Sequence, residues 1–512
     1  MDLTATNNNN PDRIRATNTP GDVENLIAGT FQRWWPNVYG ERPTVMLGAM
    51  AYEFATPFLC FGGQPNEAEP RKSWNNTSSY TDARTASDPW LNFYSVISLT
   101  NDGLQALDRG MQIGPAGANN SRARAFAKFM QGVSHGYLAL LYDKAVVIDE
   151  HANVDTLITP TYVPSKDVMA AAIAMLNESI AISDTANFTL PTVGWVPGLA
   201  ISNKDLSRLA HTYIARFMAY EPRNPAERAA VDWTKVIQEV DSGITADFAP
   251  VGAPDILWDD YKRLAARVRT VSGDYMRGGY WLVGPADSTD GWKGWVATPV
   301  ANRTAFKMQT KDRRIIGAGS STAAGKYFNY NSSIGFFNPT RGTYLQTYYY
   351  FTRYGAGTSW ENGPLVAIGR TELDLLKAEA LIRLNRASEA VPLINKTRVA
   401  NGQLANVTVD GPPDEAGCVP RKTTGGCGSL WDALRYEKRI EGAGVDGLVA
   451  YFDARGWGTL AENSFVELPI PARELEVQRL PLYTFGGAGG QSSAPAPQWD
   501  VCPTGVTGAR CS

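Results

Sequence analysis

The sequence predicts a mainly α-helical protein in which helical hairpins form a scaffold and a loop-rich segment with short strands is inserted between them. Two observations carry this prediction. Apolar residues recur at helical spacing over residues 205–243 and 371–402, and this spacing is lost over residues 245–370. The 512 residues, 44% of them hydrophobic and 19% charged, are enough to bury a large core. We therefore expect a folded protein and not a disordered chain.

The N-terminal part of the scaffold is expected over residues 20–244. Asp22 is the predicted N-cap of its first helix, and Ser121 is the predicted start of a longer helix. The first predicted hairpin covers residues 205–243 and breaks at Glu221-Pro222. Its apolar positions are Leu206, Leu209, Tyr213, Ile214 and Phe217, then Trp233, Val236, Ile237 and Val240.

The C-terminal part of the scaffold is expected over residues 371–480 and begins with a second hairpin at 371–402. A turn is predicted at Asn385-Arg386, Ser388 is the predicted cap of the following helix, and Gly402 ends it. Hairpins of this kind resemble tetratricopeptide units, which bury their apolar faces by stacking on one another. The two hairpins therefore predict a tetratricopeptide-like scaffold.

The segment between the hairpins, 245–370, holds 21 of the 54 aromatic residues. A structureless loop of this length is not expected inside a folded protein. We therefore predict a loop-rich, aromatic insertion with short strands, for example over residues 344–354. The tryptophans of the insertion are Trp258, Trp281, Trp292, Trp295 and Trp360. The final segment, 481–512, is rich in Gly, Pro and Ser and is predicted to be irregular.

The charge balance argues against nucleic acid as a partner. The 48 Lys and Arg residues nearly cancel the 51 Asp and Glu residues, and no basic stripe with interleaved aromatics is present. The sequence has no run of about 18 apolar residues that would predict a transmembrane helix. Residues 1–15 are polar and Asn-rich, so the sequence as given shows no signal peptide.

The five cysteines include two closely spaced pairs. Cys418 and Cys427 flank one Gly-containing loop, Cys502 and Cys511 flank another, and Cys60 is left over. Each pair is suited to a small disulfide-closed loop, which favours an exported protein. Free thiols remain the alternative, because spacing does not determine connectivity. A zinc site is not expected, because no CxxC pair is present.

No pattern of catalytic or metal-binding residues stands out. The DSTDG turn at 287–291 lacks the third acidic ligand and the closing glutamate of a calcium loop. Asp259 and Asp260 are adjacent and therefore point in different directions, unlike the carboxylate pair of a glycosidase. The GAGVDG stretch at 442–447 follows a charged helical pattern and not a strand, unlike a dinucleotide site. We expect no metal, no cofactor and no catalytic residue.

Two polar segments with aromatic residues are the candidate ligand-binding loops. The candidate residues are Trp74, Asn75 and Tyr80 in the first segment and Trp292, Lys293 and Trp295 in the second. Flat aromatic rings stack on the C–H faces of sugars, and amide or charged side chains bond to the hydroxyls. The two segments therefore predict carbohydrate contacts. The alternative for each tryptophan is a buried structural anchor.

Five stretches carry a resemblance to a known family, in the order in which that family shows them. They are RARAFAKFMQGVSHGYLALLYDKAVVI at 122–148, TKDRRI at 310–315, the hairpin at 371–402, LRYEKRIEGAGVDGLVAYFDARGWG at 434–458 and ELPIPARE at 467–474. Within the fourth, the matching positions are Glu437, Arg439, Glu441, Gly447, Asp453 and Arg455. Together they resemble the SusD/RagB family. One departure, a missing arginine and an inserted residue around 448–451, indicates a divergent branch.

The resemblance implies a single SusD-like domain over 1–512 with an α-α superhelix fold. Members of that family are non-catalytic outer-membrane lipoproteins at the cell surface. They capture a polysaccharide or oligosaccharide, or in some members a peptide, for a TonB-dependent (SusC-like) transporter. Met1 stands where the lipidated cysteine of such a protein is expected. We therefore expect the lipid anchor to lie outside the given sequence.

Three other interpretations remain open. A helical glycan-degrading enzyme would hydrolyse a polysaccharide and would lose that activity when a single buried carboxylate is changed. A tetratricopeptide adaptor inside the cell would be protected from a surface-restricted protease. A peptide-binding member of the same family would use aromatic and backbone-directed polar groups in the same way as a glycan binder.

Overall fold

The N-terminal helices pack on one another largely in chain order. The structure, a computed structural model, describes residues 17–56, 60–152, 160–252, 257, 262, 276–333, 338–353, 363–488, 500, 502–507 and 511. The helices of the N-terminal part are α1 (Pro20–Ala28), α2 (Thr30–Trp34), α3 (Pro36–Tyr39), α4 (Thr44–Met50), α5 (Gly63–Glu67), α6 (Arg84–Asp108), α7 (Asn120–Leu141), α8 (Ser165–Thr185), α9 (Asn203–Tyr220), α10 (Pro225–Ala229) and α11 (Trp233–Ser242). Helix α6 packs on α7, α7 on α8, α8 on α9 and α9 on α11.

Further helices follow along the chain. They are α12 (Tyr280–Val283), α13 (Gly291–Ala297), α14 (Arg370–Arg383), α15 (Ala387–Ala400), α16 (Leu430–Gly442), α17 (Gly447–Trp457) and α18 (Ala472–Val477). Helix α14 packs on α11, on α15 and on α16, and α17 packs on α4. The two predicted hairpins, α9 with α11 and α14 with α15, therefore lie next to each other. The prediction of a mainly helical, hairpin-based scaffold is confirmed.

Local signals explain where several helices begin. Ser202 accepts a hydrogen bond from the Asp205 backbone N–H at 3.1 Å and starts α9. Ser429 and Asp432 form the same reciprocal box at the start of α16. Three predicted starts differ from the observed ones by one to three residues, because neighbouring residues supply the caps or the first turn. Thr19, not Asp22, caps α1, while α7 begins before Ser121 and α15 before Ser388.

Short strands occur in the insertion, as predicted, and also between helices of the N-terminal part. The strands are β1 (Phe54–Ala55), β2 (Lys144–Ala145), β3 (Val163–Pro164), β4 (Thr189–Leu190), β5 (Ile201–Ser202), β6 (Val251–Gly252), β7 (Arg277–Gly278), β8 (Phe328–Tyr330), β9 (Tyr349–Phe351) and β10 (Gly363–Pro364). Strands β1, β7, β9 and β8 form one sheet in that order, and the others pair as β2–β3, β4–β5 and β6–β10. Trp258, Asp259, Asp260 and Trp360 lie outside the described residues.

The stretch at 434–458 that resembles the family motif is built into buried ion pairs. Glu437 accepts from Arg314 at 2.5 Å and from Arg398 at 3.1 Å, and Asp453 accepts from Arg228 at 2.7 Å. An unpaired carboxylate in a core is strongly unfavourable, so these partners are needed. The motif acids therefore hold α16 and α17 against their neighbours. Within the described part of the chain, no helix has the length and apolar character needed to span a membrane.

Candidate functional site

The three tryptophans predicted to stack on sugar are buried, which corrects that prediction. Trp74 is 2% exposed, Trp292 3% and Trp295 7%. Trp74 packs edge-on against Tyr80, with ring centroids 5.3 Å apart, and against Phe465 at 6.1 Å. An indole removes a large apolar area from water when it packs in this way. These rings therefore serve as structural anchors.

The polar residues of the same two segments do face solvent. Asn75 and Lys293 are exposed and Tyr80 is half-buried. Trp74 and Asn75 border a small pocket of about 150 Å³ together with Arg84 and Arg473. The two predicted loops thus lie at the surface, but the tryptophan rings in them point inward. What these loops offer a ligand is therefore their polar side chains.

A much larger cleft lies next to both segments, and we call it the Trp281 cleft. Its volume is about 1350 Å³. Its aromatic lining residues are Tyr52, Trp281 and Tyr344, and its charged and amide lining residues are Gln64, Glu69, Arg71, Lys72, Arg303, Arg341, Glu462, Asn463 and Asp500. Lys72 is two residues from Trp74, and Val296, which follows Trp295, also lines the cleft.

The buried tryptophans of the second segment support the half-buried Trp281. The Trp281 ring meets Trp295 at 5.7 Å and Trp292 at 6.3 Å, with interplanar angles of 77° and 88°. The Arg303 guanidinium lies 4.5 Å from the Trp295 ring centroid and 5.8 Å from that of Trp281. Arg303 is fixed in turn by donating to the Val296 and Thr298 carbonyl oxygens, each at 2.9 Å. Trp292, Trp295 and Arg303 therefore hold the Trp281 ring in place at the wall of the cleft.

Tyr52 and Tyr344 extend the aromatic surface. The Tyr52 ring lies 5.7 Å from the Trp281 ring at an angle of 42°, and the Arg71 guanidinium lies 4.9 Å from the Tyr52 ring centroid. The Tyr52 hydroxyl donates to Glu69 at 2.5 Å, and the Tyr344 hydroxyl accepts from the Glu69 backbone N–H at 2.9 Å. Burial raises the pKa of both phenols above the usual value, so both stay neutral. The cleft thus combines flat rings with fixed hydrogen-bonding groups.

The predicted cysteine pairs are joined in the structure and lie beside one edge of the cleft. Cys418 is bonded to Cys427, and Cys502 to Cys511. The loop closed by the first pair carries Thr423, whose backbone N–H donates to both Asp500 carboxylate oxygens, at 3.0 and 3.1 Å. Asp500 lies two residues before Cys502. The side chain of Cys60 lies outside the described residues.

The turn that was compared with a calcium loop acts as a structural cap. Asp287 is 1% exposed and accepts from the Trp292 backbone N–H at 3.0 Å and from that of Gln309 at 3.2 Å. Its oxygens therefore hold α13, which carries Trp292 and Trp295. Among the residues that the structure describes, no group of His, Cys, Asp and Glu is arranged to hold a metal ion.

Sequence reasoning found the neighbourhood of the cleft but not its central residues. In the sequence, Trp281 is only one of the aromatic residues of the insertion, although the Gly278-Gly279 pair just before it is typical of a close backbone approach. Tyr52, Glu69 and Tyr344 carried no local signal, because they reach the cleft only through tertiary packing.

Solved structures resemble this chain over most of its length, whereas no family model and no curated protein matches its sequence. A SusD superfamily protein from Bacteroides thetaiotaomicron is 14% identical with a TM-score of 0.57, covering 90% of this chain and 96% of that one. A SusD-like carbohydrate binding protein from Bacteroides fragilis is 14% identical with a TM-score of 0.53, covering 87% of each chain. A protein determined with a xylogluco-oligosaccharide is 14% identical with a TM-score of 0.51, covering 89% and 85%. The chain therefore has the fold of the SusD superfamily, as its sequence motifs predict.

Proposed function

We propose that this protein binds an oligosaccharide or polysaccharide chain in the Trp281 cleft without hydrolysing it. The observation that carries the proposal is the meeting of Trp281, Tyr52 and Tyr344 with fixed polar groups in one open cleft. Aromatic rings contribute stacking area at low entropic cost, and the polar groups select among hydroxyl patterns. The fold adds support, since similar proteins include one described as carbohydrate binding.

The size of the cleft favours several sugar units over one. Pockets for single small ligands typically measure about 300 to 1000 Å³, and the Trp281 cleft measures about 1350 Å³. The tilt of 42° between the Tyr52 and Trp281 rings suits a chain whose successive units turn. We therefore propose that the ligand is an oligomer that contacts the two rings with different units.

Two of the three carboxylates that line the cleft, Glu69 and Asp500, favour binding over hydrolysis. Glu69 accepts a hydrogen bond from the Tyr52 hydroxyl and Asp500 accepts one from the Thr423 backbone N–H, so both acids are held by the protein itself. A glycosidase needs an acid and a second carboxylate facing each other across the scissile bond. Two acids already engaged in the cleft wall are poorly placed for these roles.

We further propose that the protein works at the bacterial outer-membrane surface, tethered by a lipid anchor, and passes its ligand to a TonB-dependent transporter. The support is the SusD-like fold together with the motifs at 434–458 and 467–474. Two measurements test this part: digestion by a protease added to intact cells, and co-purification of a transporter barrel with the protein. Complete protection from the protease would contradict the surface location.

Binding in the cleft is tested with a panel of soluble glycans, including xylogluco-oligosaccharides, and a peptide mixture, by titration calorimetry. We expect one glycan class to bind and Trp281→Ala to weaken its binding. Phe188→Ala is the matched control, because Phe188 is also a partly buried aromatic residue but does not line the cleft. Equal losses in both variants, or binding of peptides alone, would contradict the proposal.

A further inference from the structure

We propose that Arg439 is the positioning residue of the Trp281 cleft: its guanidinium joins the backbone segments that carry Tyr52 and Trp281 and so sets the relative orientation of the two rings. This inference rests on the proposed function, because it names the residue that prepares the same cleft for its ligand.

The two rings come from segments far apart in the chain that meet at one end of a short strand pair. Strands β1 and β7 are antiparallel, with Phe54 opposite Gly278. In such a pair, the residues before β1 and those after β7 leave at the same end of the ladder. Tyr52 and Trp281 therefore emerge side by side, beyond the last paired residues.

Strand pairing alone does not set the ring directions. Tyr52 has a φ of +58°, in the left-handed region, so its backbone has already left the extended path of β1. Trp281 lies in the short helix α12, so its backbone has left the path of β7. Both segments need a further contact that ties them to each other and to the scaffold.

Arg439 supplies this contact. Its Nη1 donates to the Trp281 carbonyl oxygen at 2.8 Å, and its Nη2 donates to the Ala51 and Tyr52 carbonyl oxygens, each at 3.0 Å. One planar group thus holds both ring-bearing residues by their backbones. A lysine cannot reproduce this geometry, because its single ammonium has no rigid fork.

Arg439 is itself held by the scaffold. It lies in α16, whose Glu437 is fixed by Arg314 and whose first turn has the Ser429 capping box. Burial lowers the pKa of Arg439 to about 10, so the group remains charged at neutral pH. Its hydrogen bonds therefore keep the strength of a charged donor. The scaffold motif and the cleft are linked through this one side chain.

Arg439→Lys is the test, and Arg455→Lys is the matched control. Arg455 is also a buried arginine that donates to backbone carbonyl oxygens, among them those of Leu140, Val466 and Tyr220, but none of these acceptor residues lines the cleft. We expect Arg439→Lys to raise the Kd for a xylogluco-oligosaccharide, or for whichever glycan of the panel binds, by about tenfold. The two variants should lower the melting temperature by similar amounts. Arg455→Lys, however, should leave the Kd within about twofold of the unaltered protein.

A double-mutant cycle separates positioning from general loosening of the fold. If Arg439 acts through the rings, Arg439→Lys in a Trp281→Ala background should raise the Kd by less than about twofold further. Full additivity of the two changes would overturn the proposal. So would equal effects of Arg439→Lys and Arg455→Lys on the Kd.

A readout without ligand keeps the inference separate from the proposed function. The protein has 14 tryptophans, and fluorotryptophan labelling gives a ¹⁹F signal for each, with Trp281 assigned by its loss in Trp281→Phe. The Trp281 signal should shift in Arg439→Lys and stay in place in Arg455→Lys. An unchanged Trp281 signal in Arg439→Lys overturns the positioning role. A shifted signal without any glycan binding supports that role while the proposed function fails.

Discussion

The Tyr52 hydroxyl donates a hydrogen bond to the Glu69 carboxylate at 2.5 Å, and the backbone N–H of Glu69 donates to the Tyr344 hydroxyl at 2.9 Å. One acidic residue thus ties two aromatic rings of the cleft together. A carboxylate used in this way contributes to the shape of the binding surface. A Glu69 side chain engaged in this way is one ground for proposing binding without hydrolysis.

Neither Glu69→Gln nor Glu462→Gln should change the release of reducing sugar from a polysaccharide, because we expect no release by the unaltered protein. Glu69→Gln keeps an acceptor for the Tyr52 hydroxyl and should raise the Kd for the bound glycan by less than about tenfold. Chromatography of long incubations checks the products. Hydrolysis that is lost in Glu69→Gln would instead identify an enzyme.

Trp292→Ala should mainly reduce stability, whereas Trp281→Ala should mainly reduce glycan binding. Trp292 is 3% exposed, so its truncation leaves a cavity and should lower the free energy of unfolding by about 3 to 5 kcal/mol. Trp281 is half-buried and lines the cleft, so its truncation should weaken glycan binding by about 1 to 3 kcal/mol. Denaturant unfolding and calorimetric titration measure the two effects. Trp74→Ala should behave as Trp292→Ala does, and a stability loss of the same size in all three variants would argue against a ligand role for Trp281.

Removal of the first disulfide should affect both stability and the edge of the cleft. Cys418 and Cys427 are nine positions apart, and a crosslink over a loop of this size stabilises by about 2 to 3 kcal/mol in the chain-entropy model. The double change to serine also frees Thr423, whose N–H holds Asp500 beside the cleft. We therefore expect a lower melting temperature and a weaker affinity. Thr423→Ala in the disulfide-bonded protein removes the hydrogen bond from the Thr423 hydroxyl to Asp500 and is the control for the affinity effect alone. Detection of free thiols at both cysteine positions would contradict the pairing.

His135 should make the protein less stable in mild acid. Its Nδ1 lies 2.9 Å from the Gln131 carbonyl oxygen and donates to it, and its Nε2 accepts from the Ile148 N–H at 3.2 Å, which requires the neutral ring. Burial lowers the pKa of His135 to about 4. In the unfolded chain, His135 is therefore protonated below about pH 6.5, whereas in the folded protein it is protonated only below about pH 4. About 3 kcal/mol of stability should be lost as the pH falls through this window.

The measurement for His135 is a difference between two curves of unfolding free energy against pH. Burial raises the pKa of Asp143 to about 6. The contribution of Asp143 to the free energy of unfolding therefore falls as the pH rises towards 6, opposite in sign to that of His135. Subtracting the curve of His135→Gln from that of the unaltered protein isolates the histidine. His151→Gln is the control, because His151 is exposed. A difference curve without slope between pH 4 and 6.5 would refute the assignment.

The buried ion pairs show why the sequence motifs predicted the fold better than the site. Glu437 and Asp453 are 0% and 2% exposed, and their partners Arg314 and Arg228 are fully buried. A charge in a core is stable only beside its particular partner, so such residues mark the architecture. Residues that contact a ligand have no such constraint on spacing along the chain. The motifs therefore led to the SusD-like scaffold and left the cleft undefined.

Helical periodicity, hairpin spacing and the motifs at 434–458 and 467–474 determined, from sequence alone, that this is a helical protein with an aromatic insertion. These signals are local, because each depends on residues within one or two helices. Only the tertiary structure decided which rings face a ligand. In the sequence, Trp74, Trp292 and Trp295 look like Trp281. Trp74 is buried against Tyr80 and Phe465, and Trp292 and Trp295 are buried beneath Trp281, which itself lines the cleft. Burial depends on contacts between residues far apart in the chain, and no local pattern in the sequence shows it. Here those contacts are the pairing of β1 with β7 and the hydrogen bonds from Arg439 to the backbones of Tyr52 and Trp281.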